Sequence, residues 1–580
     1  MIERELLGAV RESVHRDHDD LLSAGLGLAG LRAKPPAFTD PTAPSAQQLR
    51  RRAIHASWAG IADLGPLGGY GSVYGAVPNV PGREYSAFAR LPGARAPHRV
   101  LLQVPDDFDA KARCLVVAPA SGSRGVYGAI ALAGAWGLPR GCAVVYTDKG
   151  AGSGYFDLDS DSGVALDGTR AQRGEAVLEF EPAVPAGLHG IAIKHAHSQD
   201  NPEADWGRHV LQAARFGLAM LERALPAQAP FSPANTRIIA AGLSNGAGAV
   251  LQAAGLDDAG LLAGVVALEP NVHVAGHGRA LYDYVSEAAL LLPCALLDAR
   301  FDAVPLARLQ GAHPPAWLAR CAGLRADGLV NGDSVAAQAR SALEQLHASG
   351  WQDATLATAA STTTFDLWRA VGATYASAYL RAAPAAMPCG FSFAALSAAG
   401  LPEAAAPALR AAWWSDASGI APGAGVMLLG GVEAGADPTR PGVDCLRALW
   451  NDASEGAQAL HAAVAASAAH LPRADLPIVV AQGEQDGLLP IEFSSAPYVA
   501  ALQAAGRAPV YWRVPHAQHF DAFLAMPGFG ERHVPLLPYG YAALDALWAH
   551  LHAGAPMPAS RRYATRPRGA GALEAGMLGW

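Results

Sequence analysis

Residues 236–255 read TRIIAAGLSNGAGAVLQAAG, an apolar run, a tight glycine-flanked turn around Ser244, and a stretch opening with small residues. The first seven residues have the β-branched, apolar character of a buried strand, and the last ten suit a helix. A chain that turns that sharply from strand to helix projects the central side chain outward. Glycines two positions before and after it, here Gly242 and Gly246, remove the Cβ atoms that would collide. We therefore read Ser244 as a nucleophile at the tip of an elbow; the alternative is an ordinary turn serine.

The flanking sequence supplies the sheet that such an elbow needs. Strand-like runs occur at 99–105, 113–120, 142–148, 236–242, 262–270, 476–483 and 509–515. Between them, 204–225 places apolar residues at helical spacing, as a crossover helix would. Alternating strands and helices predict a mostly parallel sheet with helices on both faces. Together with the elbow, this is the α/β-hydrolase fold. Residues 273–470 lack comparable strand runs, are rich in Ala and Leu, and include helical patterns such as GDSVAAQARSALEQLHASG at 332–350. We expect four segments: an N-terminal extension over 1–95, a first core part over 96–272, a mainly helical lid over 273–470, and a second core part over 471–580.

Serine is a weak nucleophile at neutral pH and needs a base, which in turn needs an orienting acid. In this fold the order along the chain is serine, acid, histidine. LPIVVAQGEQDGLLP (476–490) delivers Asp486 just past a strand, and Asp486 is the preferred acid. Glu269, after the VVAL run, competes for that role, whereas Glu484 is read as facing solvent. PVYWRVPHAQHFDAFLAMPGF (509–529) places His516 and His519 after the last strand. His519 is preferred as the base, and Asp521 is read as a capping or surface acid. Attack on an ester creates an oxyanion that wants two N–H donors. Asn245, next to the nucleophile, supplies one; the amide of Ser123, in the glycine-rich turn of VVAPASGSRGVYG (116–128), is the candidate for the other.

Composition narrows the remaining choices. The 580 residues are 51% hydrophobic and 16% charged with a net charge of −8, and the basic residues are scattered with no run longer than Arg50–Arg52, which argues against nucleic acid as a partner. No apolar run is long enough for a membrane span. The six cysteines form no C-x-x-C pair, so a zinc site is not expected; their even number permits disulfides. His195 and His197 in AIKHAHSQDNPE are read as surface-loop histidines in preference to a metal pair. The run Lys149–Gly154 (KGAGSG) lacks the G-K-[ST] ending of a phosphate loop. Neither metal nor cofactor is expected, and the partner is a small-molecule substrate.

Longer segments carry a more specific signal. DDLLSAGLGLAGLR (19–32), WAGIADLGPLGGYGSVYG (58–75), PGREYSAFARLPGA (81–94), SGSRGVYGAIALAGAWGLPRGCAVVYTDKGAGSG (121–154), NPEADWGRHVLQAARFGLAMLE (201–222), GLSNGAGAVLQAAG (242–255) and AQHFDAFL (517–524) resemble the 3-hydroxybutyrate oligomer hydrolase family. The resemblance implies ester hydrolysis in (R)-3-hydroxybutyrate dimers and short oligomers, with the nucleophile of the family's G-L-S-N-G motif at Ser244. Short oligomers end in a carboxylate, so a cation near the pocket is expected, with Arg124 and Lys149 as candidates. Family members are commonly exported. This chain opens on MIERELLGAVRESVHRDHDDLL, with no apolar signal region, and as written reads as cytoplasmic or already trimmed.

Overall fold

The computed structural model describes residues 2–416 and 423–580. Its centre is a ten-stranded sheet formed by Leu6–His15 (β1), Gly82–Ala89 (β2), His98–Pro105 (β3), Cys114–Pro119 (β4), Ala143–Asp148 (β5), Arg237–Leu243 (β6), Gly264–Leu268 (β7), Ile478–Gly483 (β8), Val510–Val514 (β9) and Arg561–Arg562 (β10). The spatial order is β1-β2-β3-β5-β4-β6-β7-β8-β9-β10. The first three strands and β5 pair antiparallel; from β5 through β4 to β10 every pairing is parallel. The order reverses once, at β4 and β5. This is the expected α/β-hydrolase arrangement, with all seven anticipated strands within two residues of their predicted ends.

Side-chain alternation explains why helices cover both faces. Leu115, Val117, Val145, Ile238 and Ala240 point to the face covered by Pro202–Ala224 (α1) and Asn245–Leu256 (α2). Val116, Ala118, Val144, Ile239 and Ala241 point to the other face, beneath Leu537–Ala553 (α4) and residues 130–137. Both faces are sealed, so these strands are apolar throughout.

Residues 1–95 depart from the expected extension, because β1 and β2 are strands of the sheet itself. They are fastened by a buried ionic cluster. Arg50 reaches Glu84 on β2 at 2.7 Å and Asp19 at 2.7 Å, and Tyr127 donates to the same Glu84 carboxylate at 2.9 Å. A second unanticipated feature is a four-stranded sheet between Tyr155 and Ile193. It carries the chain from β5 to α1.

Residues 273–470 pack helices over the sheet's carboxyl edge and add a small three-stranded sheet at Ser392–Leu396, Pro402–Glu403 and Met427–Leu429. Among these helices, Leu367–Tyr379 (α3) reaches the site. All six cysteines are paired: Cys114–Cys142 joins the starts of β4 and β5, while Cys294–Cys321 and Cys389–Cys445 lie within the helical segment. Among the described residues no helix is long and apolar enough to cross a membrane.

Candidate active site

Parallel strands deliver the loops at their carboxyl ends to a single edge. Leu243 lies opposite Leu268 in register, so Ser244 and Glu269 leave the sheet side by side. Asp486 comes after β8, His519 after β9, and the Ser121–Arg124 turn after β4. Chain segments far apart in sequence therefore meet above β6.

At the elbow, Ser244 adopts φ +57° and ψ −127°, a conformation that L residues disfavour. The flanking glycines are required by close approach. A Cβ on Gly242 would stand 2.4 Å from the Gly246 carbonyl oxygen, and one on Gly246 2.5 Å from that of Pro119. The strain is held in place by the Ser244 N–H, which donates to Leu268 O at 2.9 Å.

Ser244 Oγ lies 2.9 Å from His519 Nε2, and His519 Nδ1 lies 2.8 Å from Asp486 Oδ2. All three side chains are buried. Asp486 is itself fixed, its other oxygen accepting from the amides of Leu488 and Leu489. Such a relay can draw the serine proton onto the imidazole while the carboxylate holds the ring's orientation. The geometry brings these three predicted residues together.

Glu269 lies beside them. Burial, reinforced by the charges of Asp486 and Asp521, drives its carboxyl pKa well above the usual range and favours the protonated form, and one of its oxygens has no partner among the described residues. Glu269, Asp486 and His519 are close enough together to hold a metal ion. Both His519 nitrogens are, however, already engaged by Ser244 and Asp486, which leaves neither free for an ion in this arrangement.

The other candidates separate clearly. His516 bonds Thr565 at 3.0 Å and Glu484 pairs with Arg562 at 2.7 Å, both away from the relay. Asp521 accepts from the amides of Leu536 and Leu537, capping the start of α4. Asn245 is the first residue of α2, where its N–H has no intrahelical acceptor and can serve an oxyanion. Gly122 and Ser123 line the cavity above it. A Cβ on Gly122 would come within 3.3 Å of Asn245 Cβ, so this turn packs directly against the elbow.

The two cations proposed for the substrate carboxylate are placed elsewhere. Arg124 donates to the carbonyls of Ala56 and Gly60 at the end of helix Ala46–Ala59, and burial lowers its pKa to about 10. Lys149 is buried in an ion pair with Glu203. Neither lines the cavity. A residue read as a surface histidine does: His195 is buried, with its Nε2 2.7 Å from Glu203 Oε1. His197 is buried too, and its Nδ1 accepts from the Ile193 amide, so the two histidines do not face a common ion. Apolar side chains close the cavity, of about 70 Å³: Leu367 and Val371 from α3, Leu488 and Leu489 after Asp486, and Phe520 beside His519.

A profile of the 3HB-oligomer hydrolase (3HBOH) family matches residues 4–578. The chain belongs to the 3HB-oligomer hydrolase family. Two relatives named D-(-)-3-hydroxybutyrate oligomer hydrolase illustrate the distance within it. The Cupriavidus metallidurans protein is 38% identical over 95% of this chain and 84% of its own length. The Polaromonas naphthalenivorans protein is 37% identical over 97% and 89%. Among solved structures, feruloyl esterase B from Aspergillus oryzae overlaps 83% of this chain and 82% of its own at 10% identity and a TM-score of 0.35. A likeness that loose carries no argument, and the fold rests on strand order and register.

Proposed function

We propose that this protein hydrolyses the ester bonds of short D-(-)-3-hydroxybutyrate oligomers, as its relatives' names describe. The observation that carries the reading is a buried Ser244–His519–Asp486 relay opening on a small, mostly apolar cavity, in a chain matched by the oligomer-hydrolase family along nearly its whole length. His519 takes the Ser244 proton as Oγ attacks the ester carbonyl, and the oxyanion is met by the Asn245 N–H and an amide of the 122–123 turn. The tetrahedral intermediate collapses to an acyl-enzyme, and His519 returns the proton to the departing alcohol. Water deprotonated by His519 then releases the acid.

The cavity is small and mostly apolar in its lining, which suits a short acyl chain better than a polymer strand lying along a surface. The six paired cysteines support folding in an oxidising compartment. Product analysis on a defined ladder of oligomers tests the reading. We expect dimer and trimer to yield monomer while crystalline polymer is left intact. Equal rates on the dimer and on p-nitrophenyl acyl esters would point instead to a broad carboxylesterase.

A further inference from the structure

The cavity wall beside Ser244 has a polar character that ester cleavage alone does not use. His195 Nε2 faces the Glu203 carboxylate at 2.7 Å, which fixes the ring proton on that nitrogen. Nδ1 is then a lone-pair acceptor, and it is buried with no partner among the described residues. Asn245 behaves alike: its Nδ2 donates to Glu203 Oε2 at 3.0 Å, and its Oδ1 is buried and unpartnered. Tyr375 completes the wall. Its oxygen accepts from Lys149 Nζ at 3.3 Å and Asn245 Nδ2 at 3.4 Å, leaving its own proton to give. All three residues line the cavity with Ser244.

Buried unpaired acceptors are costly unless a ligand supplies the donor. Burial, reinforced by Lys149, lowers the His195 pKa and keeps the ring neutral, while Glu203 is held down to about 2 by Lys149 and His195 against the upward push of burial. Two acceptors with a carboxylate behind them repel a second carboxylate. They suit a hydroxyl, which can donate its single proton to His195 Nδ1 or Asn245 Oδ1 and accept one from Tyr375.

We propose that His195, Asn245 and Tyr375 bind the free 3-hydroxyl of the acyl unit, so that oligomers are cleaved from the hydroxyl end, one monomer at a time. The carboxyl end of the substrate then points out of the cavity, which agrees with Arg124 and Lys149 being paired within the protein. This inference rests on the ester-hydrolase reading of Ser244 and deepens it.

The test compares the 3-hydroxybutyrate dimer with O-butyryl-3-hydroxybutyrate, the same ester lacking only that hydroxyl. Wild-type enzyme should favour the dimer in kcat/KM by at least about 100-fold. His195→Gln can still donate to Glu203 but places no acceptor at the Nδ1 position, and should cut this preference by about tenfold or more. His195→Asn restores an acceptor there and should keep most of the preference, which a purely structural histidine would not predict. A trimer carrying ¹³C in its hydroxyl-terminal unit should release labelled monomer in the first turnover. Equal wild-type rates on the two esters, an unchanged preference in His195→Gln, or unlabelled monomer appearing first would each overturn the proposal. The wild-type esters and the labelled trimer decide it even if both variants misfold. An enzyme inert toward the dimer would instead remove the oligomer-hydrolase reading on which the proposal stands.

Discussion

Two buried polar regions of this protein are built from the same kinds of residue to different ends. Around Glu84, Arg50 donates through Nε and Nη2, Gln103 and Tyr127 donate as well, and no side-chain polar atom of these four residues is left unpaired. Around Glu203, Lys149 pairs with the carboxylate too, yet His195 Nδ1 and Asn245 Oδ1 remain without partners among the described residues, and Ser244 next to them is strained. A closed network fixes a strand; an open one waits for a ligand. Substitutions in the first region should therefore act on stability, and those in the second on turnover.

The largest effect tests the open region. Ser244→Ala should lower kcat about a million-fold if the relay acts as a unit, with the melting temperature unchanged; a loss of only a few-fold would refute the mechanism. The choice of acid is the next step down. Asp486→Asn should cost about 10⁴-fold, because the amide cannot hold His519 in the required tautomer. Glu269→Gln should stay within about threefold of wild type at neutral pH, since glutamine copies a carboxyl that already keeps its proton. Reversed magnitudes would make Glu269 the acid. The raised Glu269 pKa sets the sign of the pH effect. Its favourable contribution is present below the unfolded value near 4.5 and is lost as pH rises through the higher folded value. Glu269→Gln should therefore tolerate alkaline unfolding conditions better than wild type.

Removing one cation from each network compares them directly. Arg50→Met strands the Glu84 carboxylate in the interior and should cost about 3–5 kcal/mol in chemical denaturation, with kcat/KM of the folded fraction unchanged. Lys149→Met strands Glu203 similarly, but should also lower kcat/KM on the dimer by about tenfold, because Glu203 orients His195 and Asn245. Burial would raise both carboxyl pKa values, but Arg50 and Lys149 hold them below 4.5. Each contribution is thus present above pH 4.5 and fades as the pH falls below it. Both variants should flatten the acid limb of the stability profile. Equal effects of the two substitutions on turnover would dissolve the distinction between closed and open networks.

Legibility in the sequence divides along the same line. Strands β4 to β8 are buried on both faces and read as mainly apolar runs, β9 keeps that character on one face only, and the elbow announces itself by its glycines. The features that were not legible depend on partners from distant segments. β2 contains Glu84, and β1 is an edge strand with exposed charges, so neither looks like part of a core until Arg50 is placed beside them. The strands between Tyr155 and Ile193 are three residues long, too short for periodicity to register. His195 sits in KHAHSQDNPE, a polar stretch whose burial comes from α3 and Glu203. The apolar Ile191–Ile193 before it and the Asn201 cap after it were the only local cues. Arg124 follows the Ser121–Ser123 turn in sequence, but its long side chain reaches back to the end of an N-terminal helix, where the free carbonyls attract a cation.

The smallest effect sharpens the comparison by leaving both networks intact. Cys294–Cys321 and Cys389–Cys445 tie the helical segment to itself, with sequence separations of 27 and 56, and Cys114–Cys142 does the same for the core over 28. Each closed loop of that size should be worth about 3–4 kcal/mol through the unfolded chain. Thiol titration in denaturant without reductant should find no free cysteine, whereas free thiols would place folding in a reducing compartment. Replacing Cys389 and Cys445 together by alanine should lower the unfolding midpoint, and it should raise KM before it lowers kcat. α3 packs against the segment this bridge closes and supplies Leu367, Val371 and Tyr375 to the cavity, while the relay stands on the sheet beneath. Loss of kcat with KM unchanged would mean that the helical segment positions the relay itself and that site and scaffold are less separable than their hydrogen bonding implies.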